Sequence, residues 1–213
     1  AGAILRSGGL VAFPTETVYG LGANALDATA TKHIYEAKGR PSDNPMIVHV
    51  ANIDMLNGVA SGVTDAQKAI MSKLWPGPIT FVLHKNPAVP DVTTGGLDTV
   101  AVRWPSRREA AEIIEAAGVP IAAPSANISG KPSPTTFEDV AEDMDGRIDA
   151  IVKGERTAIG IESTVLDLTS EVPTILRPGF ITKSQIEEAV DGEVRYDPSL
   201  FKKPGADDFH PKS

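Results

Sequence analysis

Short apolar runs rich in β-branched residues recur along the chain, separated by stretches that contain glycine, proline, asparagine or aspartate. Runs of this length between turn signals are typical of buried strands. They predict strands at Leu10–Phe13, Met46–Val50, Ile79–His84, Thr99–Trp104, Pro120–Ala123, Ala150–Lys153, Ser163–Thr169, Thr174–Arg177 and Glu193–Tyr196. The chain is therefore expected to build a sheet as its central layer.

Other segments place apolar residues every three or four positions, which is the period of an amphipathic helix. Ser106-x-x-Glu109 matches a capping box, and the apolar face that follows stops at Gly118. Thr182-x-x-Gln185 matches a second capping box. Further helices are predicted at Ala30–Lys38, Asp65–Leu74 and Thr136–Met144.

Strands and helices are mixed but do not alternate strictly. Ser163–Thr169 and Thr174–Arg177 follow each other with a turn at Glu171–Pro173, which indicates an antiparallel hairpin. We therefore expect an α+β fold of α/β type, a mixed, twisted open sheet with helices packed on it. Residues 1–196 would form one domain, and 197–213, rich in Pro, Lys and Asp, a linker or tail.

Composition narrows the classes of function. The chain has 213 residues, a net charge of −8 and no cysteine. Disulfides, thiolate catalysis and thiolate metal sites are excluded, and broad non-specific binding of nucleic acid is disfavoured. No apolar run reaches the ~20 residues that a membrane span needs, so we expect a cytoplasmic protein without a membrane partner.

The stretch PTETVYGLGANA contains Gly20-x-Gly22-x-x-Ala25, close to the fingerprint of a dinucleotide-binding turn. In that fold, however, the first glycine lies at the strand end, whereas six residues separate the preceding apolar run from Gly20. The competing interpretation is a strand, a proline turn and a second β-prone piece, with Tyr19 in the core. A single glycine motif does not decide between them.

Three further stretches carry polar residues in turn-rich surroundings: EAKGRPSDNP, APSANISGKPSPTT, and the pair GIESTVLDL and ILRPG. Each has a structural interpretation. Gly39 is a routine helix cap, Ser, Asn and Pro are ordinary loop residues, and Ser163 and Arg177 are typical of strand edges. Taken singly, none of these stretches indicates a function.

Taken together, the motifs occur in a recognisable order: PTETVYGLG, KGRPSDNP, WPGPITFVL, TVAVRWP, PSANISGKPSPT, ESTVLDL and LRPG. In this order, over roughly residues 5–190, the chain resembles the YrdC-like family, the threonylcarbamoyl-AMP synthases of tRNA modification. The resemblance implies that the glycine stretch forms a wall of a cleft for an amino acid and ATP.

The resemblance also implies a reaction, in which L-threonine, bicarbonate and ATP give threonylcarbamoyl-AMP, pyrophosphate and water. A carbamate oxygen attacks the α-phosphate, so the enzyme is a nucleotidyltransferase that needs positioning and charge stabilisation rather than a protein nucleophile. Mg²⁺ is expected to travel on the ATP phosphates. Besides these substrates, tRNA or tRNA-modification proteins are the implied partners.

The resemblance assigns residues to both substrates. Those implied for ATP are Lys38, Arg40 and Asn44 on the phosphates, Ser125, Asn127 and Ser133 on the opposite wall, and Thr99 and Arg177. Those implied for L-threonine are Thr17, His49, Arg103, the Ala123 backbone and Ser163, with Tyr19 packing on the substrate methyl. An arginine can hold a carboxylate with two parallel hydrogen bonds, which suits Arg103.

Two departures from the family pattern and two other functions stay open. The segment KPGADDFHPKS resembles a degenerate linker in which His210 has no assigned role, and Arg107 and Arg108 stand where the family often has a histidine. One alternative is an RNA-binding module without catalysis, and the other is a carbamoyl-transfer domain of a larger maturation protein. His33 and His84 are interpreted as structural.

Overall fold

The computed structural model describes residues 1–202, so His210 and most of the predicted tail lie outside the described residues. Its helices are α1 Gly2–Arg6, α2 Ala28–Lys38, α3 Ile53–Val59, α4 Asp65–Leu74, α5 Arg108–Ala117, α6 Phe137–Met144 and α7 Lys183–Val190, followed by a 3₁₀ turn at Pro198–Phe201. Its strands are β1 Val11–Pro14, β2 Tyr19–Asn24, β3 Ile47–His49, β4 Ile79–His84, β5 Thr99–Arg103, β6 Ile121–Ala122, β7 Ala150–Ile151, β8 Thr164–Asp167, β9 Thr174–Arg177 and β10 Arg195–Tyr196.

The strands form one sheet in the order β10-β9-β8-β4-β5-β3-β6-β2-β1-β7. Parallel pairs (β10 with β9, β8 with β4, β5 with β3, β1 with β7) are interspersed with antiparallel ones. The mixed, open sheet with packed helices confirms the predicted fold class. β8 and β9 form the predicted antiparallel hairpin.

Helices cover both faces of the sheet. Successive side chains of a strand point to opposite faces, so one strand can pack against helices on both sides. In β1, Val11 and Phe13 pack with Ile114 of α5 in one cluster, whereas Ala12 packs in a larger cluster with Ile34 of α2. Within residues 1–202, no helix is long and apolar enough to cross a membrane.

The glycine stretch forms the β1–β2 hairpin, and the dinucleotide interpretation is wrong. Gly22 pairs with Val11, and a Cβ on Gly22 would lie 2.7 Å from the ring of Phe13. These glycines therefore serve close packing within a sheet and do not open a helix onto phosphates. Tyr19 is fully buried, and its hydroxyl donates to Gly154 O (3.2 Å) and accepts from Gly154 N (3.1 Å).

The capping box predicted at Ser106 is also wrong. α5 begins at Arg108 with Arg107 as its N-cap, and the Arg107 side chain makes no capping hydrogen bond to the helix backbone. The Ser106 hydroxyl instead donates to the carboxylate of Glu16, which belongs to the turn between β1 and β2. By contrast, Thr182 and Gln185 form the predicted capping box of α7. β2, with Tyr19 buried in the core, confirms the competing interpretation of the glycine stretch as a second β-prone piece, whereas α1 and α3 were not predicted.

Candidate functional site

A cavity of about 290 Å³ opens where several strand ends meet in the middle of the sheet. β3 and β5 are parallel and end together, with His49 paired to Arg103. β4 is antiparallel to β5 and has its second residue, Thr80, paired with Arg103, and its first residue, Ile79, pairs with Thr164 at the start of β8. This arrangement of directions brings residues that are far apart in sequence to one edge of the sheet.

Apart from Tyr19, the cavity collects every residue implied for threonine, and it collects most of those implied for ATP. The residues that line it among these are Thr17, His49, Arg103, Ala123, Ser163, Lys38, Arg40, Asn44, Ser125 and Arg177. The other lining residues are Val18, Pro45, Met46, Ile47, Pro124 and Glu162. What each residue binds stays a prediction at this point.

Arg103 is the buried cation of the site, with 4% of its surface exposed. Its Nη1 donates to Thr17 Oγ1 (2.8 Å), and its guanidinium is ion-paired with the carboxylate of Glu16. Within residues 1–202, its buried Nε has no hydrogen-bond partner. Burial and the nearby charge of Arg177 lower the pKa of Arg103 to about 9, so it stays charged at neutral pH. Its spare donors suit a carboxylate ligand.

Neutral polar groups surround this guanidinium. The hydroxyls of Thr80 and Ser163 lie 2.8 Å apart, and Thr17 Oγ1 lies 3.0 Å from Thr15 Oγ1. His49 is buried, with Nδ1 3.2 Å from the carbonyl oxygen of Ile47. Burial lowers the pKa of His49 to about 4, so its imidazole is neutral at physiological pH. This part of the cavity offers hydroxyl and imidazole partners around a single fixed charge.

Lys38, Arg40 and Gly39 form the helix end that faces the cavity. Gly39 adopts the left-handed conformation (φ 62°), as expected for a helix C-cap, and turns the chain toward Arg40. Lys38 is only 3% exposed, and its Nζ donates to Ser125 O and to Asn127 O (2.8 Å). Lys38 thus joins α2 to the loop after β6, and is far more buried than its place at a helix terminus suggests.

Burial, reinforced by the positive charge of Arg40, lowers the pKa of Lys38 from 10.5 to about 7. Near neutral pH, the charged ammonium and the neutral amine of Lys38 are therefore both present in substantial amounts. An anion placed against Nζ favours the charged form, so the protonation of Lys38 is coupled to whatever anion the cavity holds.

Arg177, at the end of β9, completes the positive wall. Its Nε and Nη2 donate to Ser163 O (3.0 and 2.9 Å), and its Nη2 also donates to Ser163 Oγ (3.2 Å). Its Nη1 is ion-paired with Glu162 Oε2 (2.8 Å). Sequence reasoning did not single out Glu162 or Glu16, although both lie inside quoted motifs, one residue before Ser163 and one before Thr17.

Three residues implied for ATP do not line the cavity. The Asn127 amide donates to Ile128 O and Lys131 O, and therefore shapes the loop that holds Lys38. Ser133 donates to Glu162 Oε1 (3.1 Å), so it contacts a residue that lines the cavity without lining the cavity itself.

Thr99 lies at the opposite end of β5 from the cavity, paired with His84. Four residues of strand place it ~13 Å from Arg103, so the structure does not bring Thr99 to the cavity. Tyr19 is also absent from the lining residues, because its side chain is bonded to Gly154 in the core, and Val18 lines the cavity instead. The structure therefore gives no support to the expectation that Tyr19 packs on a substrate methyl.

Four cations line the cavity, and Arg103 and Arg177 each have a carboxylate partner. A chain with a net charge of −8 thus concentrates positive charge in one cleft. The arrangement has a buried part with one guanidinium among hydroxyls, and a more exposed part with several cations. It can hold a small zwitterion or carboxylate beside a polyanion.

Comparisons with known proteins agree with this geometry. The family model Sua5/YciO/YrdC, described as "Telomere recombination", matches residues 3–179. Threonylcarbamoyl-AMP synthases of Pyrococcus abyssi and Bacillus subtilis are each 54% identical, over 95% and 94% of this chain. The chain spans only 59% and 58% of the length of these two relatives.

Solved structures show the same fold. P. abyssi Sua5 complexed with L-threonine superposes with a TM-score of 0.92 at 53% identity, over 96% of this chain and 60% of that one. Escherichia coli YciO superposes with a TM-score of 0.74 at 25% identity, over 84% of this chain and 86% of that one. The cleft, its ordered motifs and these matches lead to one conclusion: the chain belongs to the Sua5/YciO/YrdC family.

Proposed function

We propose that this chain forms threonylcarbamoyl-AMP from L-threonine, bicarbonate and ATP with release of pyrophosphate, as a nucleotidyltransferase. The observation that carries the proposal is the single cavity in which buried Arg103 adjoins the cationic wall of Lys38, Arg40 and Arg177. The names of the P. abyssi and B. subtilis relatives, and the L-threonine bound to P. abyssi Sua5, support the choice of substrate.

L-Threonine occupies the buried part of the cavity in this proposal. Its carboxylate binds the free donors of Arg103, since a guanidinium is a planar donor fork that matches a carboxylate. Its amine and hydroxyl bind among Thr17, Ser163 and the neutral imidazole of His49. Val18 supplies an apolar surface of the same cavity for the methyl group.

ATP occupies the cationic part, with its phosphates against Lys38, Arg40 and Arg177. The threonine amine combines with bicarbonate to give the carbamate and water, and a carbamate oxygen then displaces pyrophosphate from the α-phosphate. The protein holds the two reactants together and stabilises the charge on the phosphate with preorganised cations. Lys38 becomes fully protonated when a phosphate lies against its Nζ, because the anion opposes the effect of burial.

Mg²⁺ fits this arrangement as an ion carried by ATP. Within residues 1–202, no group of three or more His, Cys, Asp or Glu could hold a metal by itself. Glu162 contributes a half-exposed carboxylate to the cavity lining, and Mg²⁺ is commonly bound by one or two carboxylates together with substrate phosphates. Bound there, Mg²⁺ would neutralise phosphate charge, and Glu162 would be its protein ligand.

We further propose that the product serves the threonylcarbamoyl modification of tRNA. The proposed location in the cytoplasm stays a prediction, as does direct contact with tRNA. With a net charge of −8, the chain has little general attraction for a polyanion, so a contact with RNA would have to be local.

Pyrophosphate release tests the proposal most directly. With ATP, Mg²⁺, L-threonine and bicarbonate, the chain should release pyrophosphate, and mass spectrometry should detect threonylcarbamoyl-AMP. Omission of either threonine or bicarbonate should abolish release. Serine should be a poorer substrate, because one methyl group contributes only ~1–3 kcal/mol of discrimination. ATP turnover that is equal without any amino acid would contradict the synthase function.

A further inference from the structure

Glu16 is a largely buried carboxylate for which the proposed reaction has no direct use. It lies in the β1–β2 turn, with its side chain 11% exposed, and it is ion-paired with Arg103, whose side chain is 5% exposed. A buried pair of this kind is costly to desolvate and is therefore weak evidence of a purely stabilising role. Its place directly behind the substrate cation suggests another purpose.

Both carboxylate oxygens of Glu16 have partners, and Oε1 is the one paired with Arg103. Glu16 Oε2 accepts hydrogen bonds from both the backbone N–H and the hydroxyl of Ser106. Ser106 follows Arg103 by three residues in the chain. Glu16 therefore links the β1–β2 turn to the segment that carries Arg103. It also accepts the hydrogen bond of the Ser106 hydroxyl, for which the sequence pattern had predicted a capping role in α5.

We propose that Glu16 is a positioning residue, which with Ser106 orients the Arg103 guanidinium so that the part of it that lines the cavity meets the substrate carboxylate. The proposal rests on the proposed function, since it concerns how threonine is held. A guanidinium has five N–H donors. Thr17 accepts a hydrogen bond from Nη1 and Glu16 is ion-paired with Nη2, so the two contacts fix the plane in which the remaining N–H groups lie.

The charge of the pair also matches the ligand. Together Glu16 and Arg103 are neutral, as is a zwitterionic amino acid, so the buried part of the cavity can hold threonine without trapping any small anion. At this position, only a carboxylate can accept both from Arg103 through one oxygen and from Ser106 through the other. A glutamine there would present its NH₂ to either Arg103 or the Ser106 N–H, and two donors would face each other.

The experiment compares threonine with L-threoninamide, which keeps the amine, hydroxyl and methyl but lacks the carboxylate. Affinities of both ligands are measured by calorimetry or NMR titration for the wild type, Glu16→Gln and Ser106→Ala. In Glu16→Gln, threonine affinity should fall about tenfold or more, whereas threoninamide affinity should change less than about twofold. The preference for the carboxylate therefore shrinks in this variant.

Ser106→Ala should shift the preference in the same direction by about threefold, since the backbone N–H still donates to Glu16. Ser106→Thr, which keeps the hydroxyl, should behave like the wild type. The matched control is Glu112→Gln, which removes the carboxylate of an exposed ion pair with Arg108 on neighbouring α5. It should change neither affinity.

The outcomes separate this proposal from the proposed function. Equal loss of affinity for both ligands would mean that Glu16 only supports the fold, and tighter threonine binding in Glu16→Gln would mean that it competes with the substrate. Either result overturns the proposal. If Glu16→Gln does not fold, Ser106→Ala decides, and an unchanged preference overturns the proposal. A wild type that binds no threonine would instead overturn the proposed function.

Discussion

Lys38 should take up a proton when ATP binds. In the free protein, burial lowers its pKa to about 7, and its Nζ donates to the carbonyl groups of Ser125 and Asn127. A phosphate at the cavity would favour the ammonium form and raise this pKa. Above neutral pH, ATP binding should therefore be accompanied by uptake of a proton from the buffer.

The magnitude follows from the pKa. With a pKa of about 7, roughly one Lys38 in ten is protonated at pH 8, so binding should draw in about 0.9 proton. At pH 6 most of the population is already charged, and uptake by Lys38 should fall to about 0.1 proton. ATP binding should accordingly weaken as the pH rises above 7.

Calorimetry in buffers of different ionisation enthalpy measures this proton uptake directly. Lys38→Met should abolish it at pH 8 and also weaken ATP binding. Lys131→Met is a matched control on the adjacent loop, because the partly exposed Lys131 pairs with Asp143, which raises its pKa and keeps it protonated. If the wild type and Lys38→Met take up the same number of protons at pH 8, Lys38 is not the group that titrates, and the reasoning fails.

The same pKa affects stability, with a defined sign. Between pH of about 7 and 10.5, Lys38 is protonated in the unfolded chain but largely neutral in the folded one. The unfolded state then binds more protons, so the free energy of unfolding should rise with pH across this window, by up to roughly 5 kcal/mol. Denaturant unfolding of Lys38→Met should lack this rise, and an identical rise in both proteins would contradict the assignment.

Three further predictions concern single side chains. Arg177→Ala should weaken ATP binding and also lower threonine affinity a few-fold, because Arg177 donates to Ser163; titrations in which threonine affinity is unchanged would refute this coupling. His49 should stay neutral, so its NMR signals should be constant between pH 5.5 and 8 in view of its pKa of about 4; a titration midpoint in that range would refute it. Tyr19→Phe should cost ~0.5–1.5 kcal/mol of stability, since it loses the bonds to Gly154, yet leave turnover unchanged; a large loss of activity at constant fold would return Tyr19 to the substrate site.

Local signals in the sequence determined much of the fold. The apolar runs predicted strands where β1, β4 and β5 occur, and Gly39 ended α2 in the left-handed conformation that its lack of a side chain allows. These features depend on a few adjacent residues, so the chain displays them without its tertiary contacts. β2 was predicted only as one of two interpretations, because its glycine-rich stretch also resembles a dinucleotide-binding turn, and only the close approach of Phe13 to Gly22 explains those glycines.

The candidate site shows the same division. Ordered motifs identified Thr17, Arg103, Ser163 and most of the other residues that line the cavity, because a family pattern preserves residue types at fixed intervals.

What only the tertiary structure decided is which groups share a proton, a charge or a hydrogen bond. The Ser106 hydroxyl serves Glu16 instead of α5, Lys38 is buried against the loop after β6, and Thr99 lies at the far end of its strand. Burial and pairing between distant segments depend on the strand order and directions of the sheet, which no local pattern contains.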